Sequence, residues 1–249
     1  MSAIEINPKA RTYIIGDVHG CCDELEVLLD HLINKENLSS DDYIIFVGDY
    51  IDRGKNSKKV IDHLIELKKH PVNSIFLKGN HEDMLMSFLG FDGNLGNFFL
   101  QNGGVKTLED YGFTNNFQVA DILLNFPKDH LDFLKSLSNY ISAPKFYIVH
   151  AGFNPESSLA LQTEYDLFWI REEFILNKHD FGKVVFFGHT PHKEVFYDLP
   201  YKVCVDTGLV YGHKLSCIEV TENVCFEISY NTENIIKKDL KDSNISFNF

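Results

Sequence analysis

The sequence predicts an α/β fold, and three observations predict it. Apolar runs of four or five residues, rich in β-branched and aromatic side chains, recur along the chain and read as strands buried on both faces. Segments with apolar residues at helical spacing follow the first three runs. The runs stop at loops that carry glycine together with Asp, Asn or His. Alternation of this kind sets the loops along the carboxyl edge of a sheet, where an α/β fold gathers its site.

The first strand, Thr12-Tyr13-Ile14-Ile15, runs into Gly16-Asp17-Val18-His19-Gly20, and Leu25, Leu28, Leu29 and Leu32 behind Asp23 as a cap predict the helix after it. The second, Tyr43-Ile44-Ile45-Phe46-Val47, ends on Gly48-Asp49-Tyr50-Ile51-Asp52-Arg53-Gly54. Val60, Ile61, Leu64 and Leu67 follow at helical spacing, with Ser57 as a cap. The third, Ser74-Ile75-Phe76-Leu77, ends on Gly79-Asn80-His81-Glu82 ahead of a helix carrying Leu85, Phe88 and Leu89.

Residues 90–143 break the alternation. Glycine and asparagine crowd its first part, and Leu131, Leu134 and Leu137 after Pro127 mark a helix, so a mostly helical insertion beside the site is expected. Residues 145–149 and 183–187 supply the fourth and fifth strands, which end on His150-Ala151-Gly152 and on Gly188-His189-Thr190-Pro191-His192. Trp169-Ile170-Arg171 falls in a short helix between them. From Tyr201 onward, three strand-like pieces joined by short turns predict an antiparallel meander. Residues 1–230 thus read as a single domain, and 231–249 as a polar, partly disordered tail.

Composition narrows the function classes. With 249 residues, 44% of them hydrophobic, the chain can bury a sizeable core. A net charge of -13 repels phosphate backbones and anionic bilayers, so neither nucleic acid nor a membrane is expected as a partner. Cys21, Cys22, Cys204, Cys217 and Cys225 are odd in number and lack C-x-x-C spacing, which indicates reduced thiols rather than disulfides or a thiolate zinc site. No charged-then-apolar leader opens the chain and no apolar run approaches ~18 residues, so a cytoplasmic protein is expected, for which a monomer suffices.

A lone Asp or Asn after a strand is ordinarily a turn former. Five buried strands ending in such residues together with histidines are another matter. Asp, Asn and His are oxygen and imidazole donors suited to divalent first-row metals, and a bridging carboxylate with several terminal ligands is what a pair of such metals needs.

These blocks, in this order over residues 12–220, resemble the phosphoprotein phosphatase family of calcineurin-like metallophosphoesterases, particularly its short bacterial and phage-type serine/threonine members. The resemblance implies a central β-sandwich of two mixed sheets flanked by helices, with a di-metal site at the strand ends. It implies that Asp17 and His19 ligate a first metal, that Asn80, His150 and His189 ligate a second, and that Asp49 bridges both. Manganese is the expected ion, with iron or zinc as substitutes. His81 would be the general acid and Asp52 its carboxylate partner. Arg53, Arg171 and Asn80 would hold the substrate phosphate.

The chemistry of these residue types suits those roles. Two divalent cations lower the pKa of a shared water, making a bridging hydroxide available for in-line attack on phosphorus. An imidazolium held by a carboxylate can protonate the leaving alkoxide, and a planar guanidinium forks onto phosphate oxygens. The expected activity is hydrolysis of phosphoserine or phosphothreonine, and phosphotyrosine as a further option, in a phosphoprotein or phosphopeptide. The runner-up is a symmetrical bis(5'-nucleosyl)-tetraphosphatase, followed by a non-catalytic protein-binding scaffold that would lack part of this residue set. Asp206-Thr207-Gly208 matches a family motif and reads either as support for a histidine ligand or as a plain turn. His192 and His213 read as structural.

Overall fold

A computed structural model describes residues 6–7, 10–114 and 117–247. The expected alternation is present at the start: β1 (Thr12–Ile15), α1 (Cys22–Asn34), β2 (Tyr43–Phe46), α2 (Ser57–Leu67), β3 (Asn73–Phe76) and α3 (Asn80–Phe88). Strands β1, β2 and β3 pair in parallel. Short helices α4 (Gly104–Asp110), α5 (Val119–Asn125) and α6 (Lys128–Lys135) then fill the predicted insertion, whose last residues form a strand, β4 (Tyr140–Ser142). Residues 115 and 116 of that stretch lie outside those described. The remainder comprises β5 (Phe146–Val149), α7 (Glu164–Trp169), α8 (Glu172–Ile175), β6 (Val184–Phe187), β7 (Phe196–Asp198), β8 (Lys202–Cys204), β9 (Lys214–Glu219), β10 (Val224–Ser229) and β11 (Ile235–Asp239).

Two mixed sheets result, ordered β11-β10-β9-β1-β2-β3 and β4-β5-β6-β8-β7. Period-two alternation decides which side chain faces what. Ile14 of β1 and Ile45 of β2 point toward the other sheet and share one buried cluster with Ile148, Phe186 and Val203. Their neighbours Tyr13, Ile15, Ile44 and Phe46 point outward and are covered by Leu25, Leu28, Val60, Leu64 and Leu85 of α1, α2 and α3. On the far side of the second sheet, Val149, Val185 and Phe187 pack with Phe153, Phe168 and Phe174. Each central strand is therefore apolar on both faces, as its unbroken hydrophobic run implied.

Three expectations need correction. The stretch from Tyr201 is not one meander: β8 joins the second sheet parallel to β6, while β9, β10 and β11 form the antiparallel edge of the first. Alternation of short apolar pieces cannot say which of two sheets a strand joins. Arg171 lies between α7 and α8 rather than within a helix. The segment from 231 is not simply a tail, because β11 pairs with β10 over five residues and a 3-10 turn follows at Leu240–Ser243. Its strand is exposed and lysine-rich, as befits an edge, so composition read it as polar; Leu240 and Phe247 nevertheless enter the inter-sheet cluster. Residues 248 and 249 lie outside those described. Among the described residues no helix is long and apolar enough to cross a membrane.

Leu240→Ala is expected to lower the unfolding free energy by about 2–5 kcal/mol in urea titrations, the range for truncating a buried leucine. A change below roughly 0.5 kcal/mol, typical of surface positions, would return this segment to the status of a tail.

Candidate metal centre

The parallel strands of both sheets present their carboxyl ends to a common space. Loops after β1 and β2 are tied backbone to backbone, with the amides of Val18 and His19 donating to the Asp49 carbonyl at 3.1 and 2.9 Å. The loop after β6 meets the loop after β1, where the His189 amide donates to Asp17 Oδ2 at 3.1 Å. Gly188 makes that approach possible: a Cβ there would sit 2.1 Å from Asp17 Oδ1.

Backbone strain gathers at the same loops. Among the described residues ten non-glycine positions have positive φ; four are asparagines, one is Leu95, and the other five, His19, Asp49, Asp52, Arg53 and His189, all lie in the loops of the site. Each such residue costs on the order of 1–3 kcal/mol and persists only where surrounding bonds over-determine it. Glu82, to which the sequence reading gave no role, supplies part of that restraint. Its buried carboxylate accepts the amides of Asp49, Tyr50 and Gly79 at 2.9, 2.8 and 2.9 Å. The available signal was a glutamate three residues after the glycine that opens a helix, the spacing of a capping box.

Asp49 stands at the centre. One carboxylate oxygen lies 3.4 Å from His19 Nε2 and the other 3.5 Å from His150 Nε2. Two donor groups share it: His19, Asp49 and His81 on one side, and Asp49, His150 and His189 on the other, all buried and each with ligand atoms within 4.8 Å of one another. Asn80 Oδ1 lies 3.0 Å from His150 Nε2 and 2.9 Å from His189 Nδ1.

The tautomers follow from the partners. A backbone carbonyl only accepts, so His19 Nδ1, at 2.8 Å from the Ile51 carbonyl, carries the proton, as does His150 Nδ1 at 2.9 Å from the Val47 carbonyl. Both Nε2 atoms therefore turn lone pairs toward Asp49. Burial pushes His19, His150 and His189 below the ordinary histidine range, which keeps those lone pairs available. His19 Nε2 accepts from the Arg53 guanidinium at 2.7 Å, so a cation is already drawn to it.

The residues present thus fit divalent cations. Lone pairs and carboxylates converge without enough donors, and His189 Nε2 is buried with no hydrogen-bond partner. Burial pushes Asp17 well above the carboxylate range, with Asp206 and Asp49 repelling its charge. Asp206 is pushed up to about 7, chiefly by burial. A positive charge among these carboxylates would relieve that crowding.

His81 stands apart from the other histidines in its bonding. Its Nδ1 lies 2.6 Å from Asp52 Oδ2, its ring meets the His19 ring edge-on at 4.6 Å, and its Nε2 is buried without a partner. Burial opposes its charge, but Asp49 and the hydrogen bond to Asp52 outweigh that and hold His81 above the usual histidine range. It is also close enough to join the first donor group, so geometry alone allows it as acid or as ligand. At the mouth, Arg53 is half-buried, while Arg171 is exposed and donates to Thr190 Oγ1 at 3.3 Å. Every residue singled out from the sequence for metal, acid or phosphate is thus brought to this space. Asp206 accepts the Gly208 amide at 2.9 Å, a turn arrangement, and His192 stacks on Phe196 at 5.0 Å.

The profile of the calcineurin-like phosphoesterase family matches residues 10–217. The bis(5'-nucleosyl)-tetraphosphatase PrpE, of the asymmetrical type, from Oceanobacillus iheyensis is 28% identical over 94% of this chain and 97% of its own length. The enzyme of the same name from Bacillus thuringiensis is 26% identical over 84% of this chain and 90% of its own length. The crystal structure of a proposed diadenosine tetraphosphatase superposes with a TM-score of 0.67 at 22% identity, covering 92% of this chain and 98% of that one. A protein serine/threonine phosphatase from Saccharomyces cerevisiae superposes with a TM-score of 0.58 at 16% identity, covering 96% and 82%. At these identities both likenesses are of fold alone. With its family profile spanning most of the molecule, the chain belongs to the calcineurin-like phosphoesterases and is a metal-dependent phosphoesterase.

Proposed function

We propose that this phosphoesterase cleaves dinucleoside tetraphosphates asymmetrically, with His81 and Asp52 as the proton-donating pair and Arg53 and Arg171 as the phosphate clamp. The observation that carries the chemistry is the carboxylate of Asp49, shared between two groups of buried imidazoles with His81 beside one of them. What supports the substrate is the likeness to PrpE enzymes along nearly the whole chain, whereas the kinship with protein phosphatases is one of fold. Those relatives are of the asymmetrical type, which supports asymmetrical cleavage over the symmetrical tetraphosphatase expected as runner-up.

Asp17, His19, Asp49, Asn80, His150 and His189 would hold the cations. Two divalent cations, when bound, supply the positive charge that makes a water acidic near neutral pH and offsets negative charge on the phosphoryl oxygens. Asp52 keeps the proton on His81 Nδ1, so a second proton at Nε2 is free for the leaving group. Arg53 and Arg171 offer forked donors to the non-bridging oxygens. The ring of Tyr211 lies 5.6 Å from the Arg53 guanidinium and is 54% exposed, which leaves a flat aromatic face beside the clamp for a nucleobase.

A second reading, hydrolysis of phosphoserine or phosphothreonine in proteins, is favoured by one observation: the paired His81 and Asp52 are what an alkoxide leaving group demands. A nucleotide leaving group is already a stabilised anion and needs the acid less.

Protein stripped with chelator and reloaded with manganese is expected to convert a dinucleoside tetraphosphate to a nucleoside triphosphate and a monophosphate, and the stripped protein to be inactive. Two diphosphates as products would overturn the asymmetrical assignment. Faster turnover of a phosphopeptide panel would favour the second reading, and no turnover of either would sink both.

His81→Asn is expected to keep both metal ions by elemental analysis while losing about 10²–10⁴-fold in kcat on phosphoserine peptide, the usual worth of a general acid. The loss on dinucleotide should be smaller. Metal loss in this variant would make His81 a ligand instead.

A further inference from the structure

Thr107 lies on α4, in the insertion, far in sequence from every block that forms the metal centre. Its hydroxyl is nonetheless fully buried against the proton-donating pair. Thr107 Oγ1 donates to Asp52 Oδ1 at 2.6 Å and accepts the Asp52 amide at 2.9 Å. The other carboxylate oxygen, Oδ2, is the one that meets His81 Nδ1. One hydroxyl thus grips both the backbone and the side chain of the residue that orients the imidazole. Ser57 Oγ also accepts the Asp52 amide, at 3.1 Å, but makes no bond to the carboxylate.

The restraint falls where the backbone needs it. Asp52 and Arg53 have φ of 71° and 65°, two consecutive left-handed non-glycine residues. Such a pair persists only where surrounding contacts hold it. The same insertion also holds Arg53: its amide donates to the Gly103 carbonyl at 3.3 Å, and a Cβ on Gly103, itself at φ 107°, would lie 2.8 Å from Arg53 Cγ. Glycine is what lets the insertion close over this loop.

We infer that Thr107 is a positioning residue: its hydroxyl fixes the Asp52 carboxylate so that His81 presents its Nε2 proton to the leaving group, and the insertion is thereby part of the machinery. This rests on the reading of His81 as proton donor. Because Thr107 donates to Oδ1, that oxygen stays an acceptor and Oδ2 is left for the Nδ1 proton. Removing the hydroxyl frees the carboxylate to rotate and leaves a buried oxygen unpaired.

The test uses the full chain loaded with a diamagnetic divalent cation and the variants Thr107→Val, Thr107→Ser and Thr107→Ala. The proton on His81 Nδ1, held in a short bond to a carboxylate, should give a downfield proton resonance that vanishes in His81→Asn. It is expected to persist in Thr107→Ser and to shift or vanish in Thr107→Val. On aryl phosphates, kcat in Thr107→Val should fall about 10–100-fold, as for other residues that orient a working group, with KM changing little. The fall should be greater for phenyl phosphate than for nitrophenyl phosphate, because only the poorer leaving group depends on the acid. Thr107→Ala, which adds no bulk, carries the same expectations should the valine variant not fold.

An unmoved resonance in a folded hydroxyl-less variant would overturn the inference. So would equal losses on the two phosphates, or a serine variant as impaired as the valine. If the wild-type protein hydrolyses no phosphoester, the functional reading fails, while the resonance still decides whether Thr107 orients His81.

Discussion

A single carboxylate, that of Asp49, is the constraint on which the rest of the arrangement turns. It sits where the carboxyl ends of two sheets touch, with His19 on one side and His150 on the other, both within 3.5 Å. To bring donors from both sheets that close, the loops must cross at backbone contact, and left-handed φ values at five of the site residues are the consequence. At about 1–3 kcal/mol each, that strain is comparable with the whole net stability of a typical domain, on the order of 5–15 kcal/mol. It is tolerable only because Glu82, the inter-loop backbone bonds and the insertion each hold part of it.

The two sheets and the site depend on each other through this contact. Ile14, Ile45, Ile148 and Phe186 lock the sheets face to face, and that packing sets the distance between loops that belong to different sheets. A shift of one sheet against the other would separate His150 and His189 from Asp49 without altering any loop. The inter-sheet core is thus as much a determinant of the metal centre as the ligands are, which gives the burial of Leu240 and Phe247 in that core a functional consequence.

Much of this was legible in the sequence. Strands apolar at every position leave little choice but burial on both faces, and glycine with Asp, Asn or His at their ends marks where the chain turns at a site. The membership of β8 in the second sheet was not legible, because a short apolar piece carries no information about its partner strand. Nor was the edge strand β11, whose lysines are what an exposed edge requires and what a tail also contains. Glu82 was visible as part of a block but not as a restraint, since the amides it accepts, those of Asp49, Tyr50 and Gly79 with Ile51 a longer fourth at 3.4 Å, come from two loops 30 residues apart. Thr107 had no signal at all: a threonine in a polar helix acquires meaning only when the fold sets it against Asp52.

The measurement that bears most directly on the shared carboxylate is anomalous diffraction from crystals of the manganese-loaded protein. Two peaks are expected, one on the His19 side of Asp49 and one on the His150 and His189 side, with Asp49→Asn losing at least one of them. A single peak, or a pair that does not flank Asp49, would contradict the arrangement from which the chemistry has been derived.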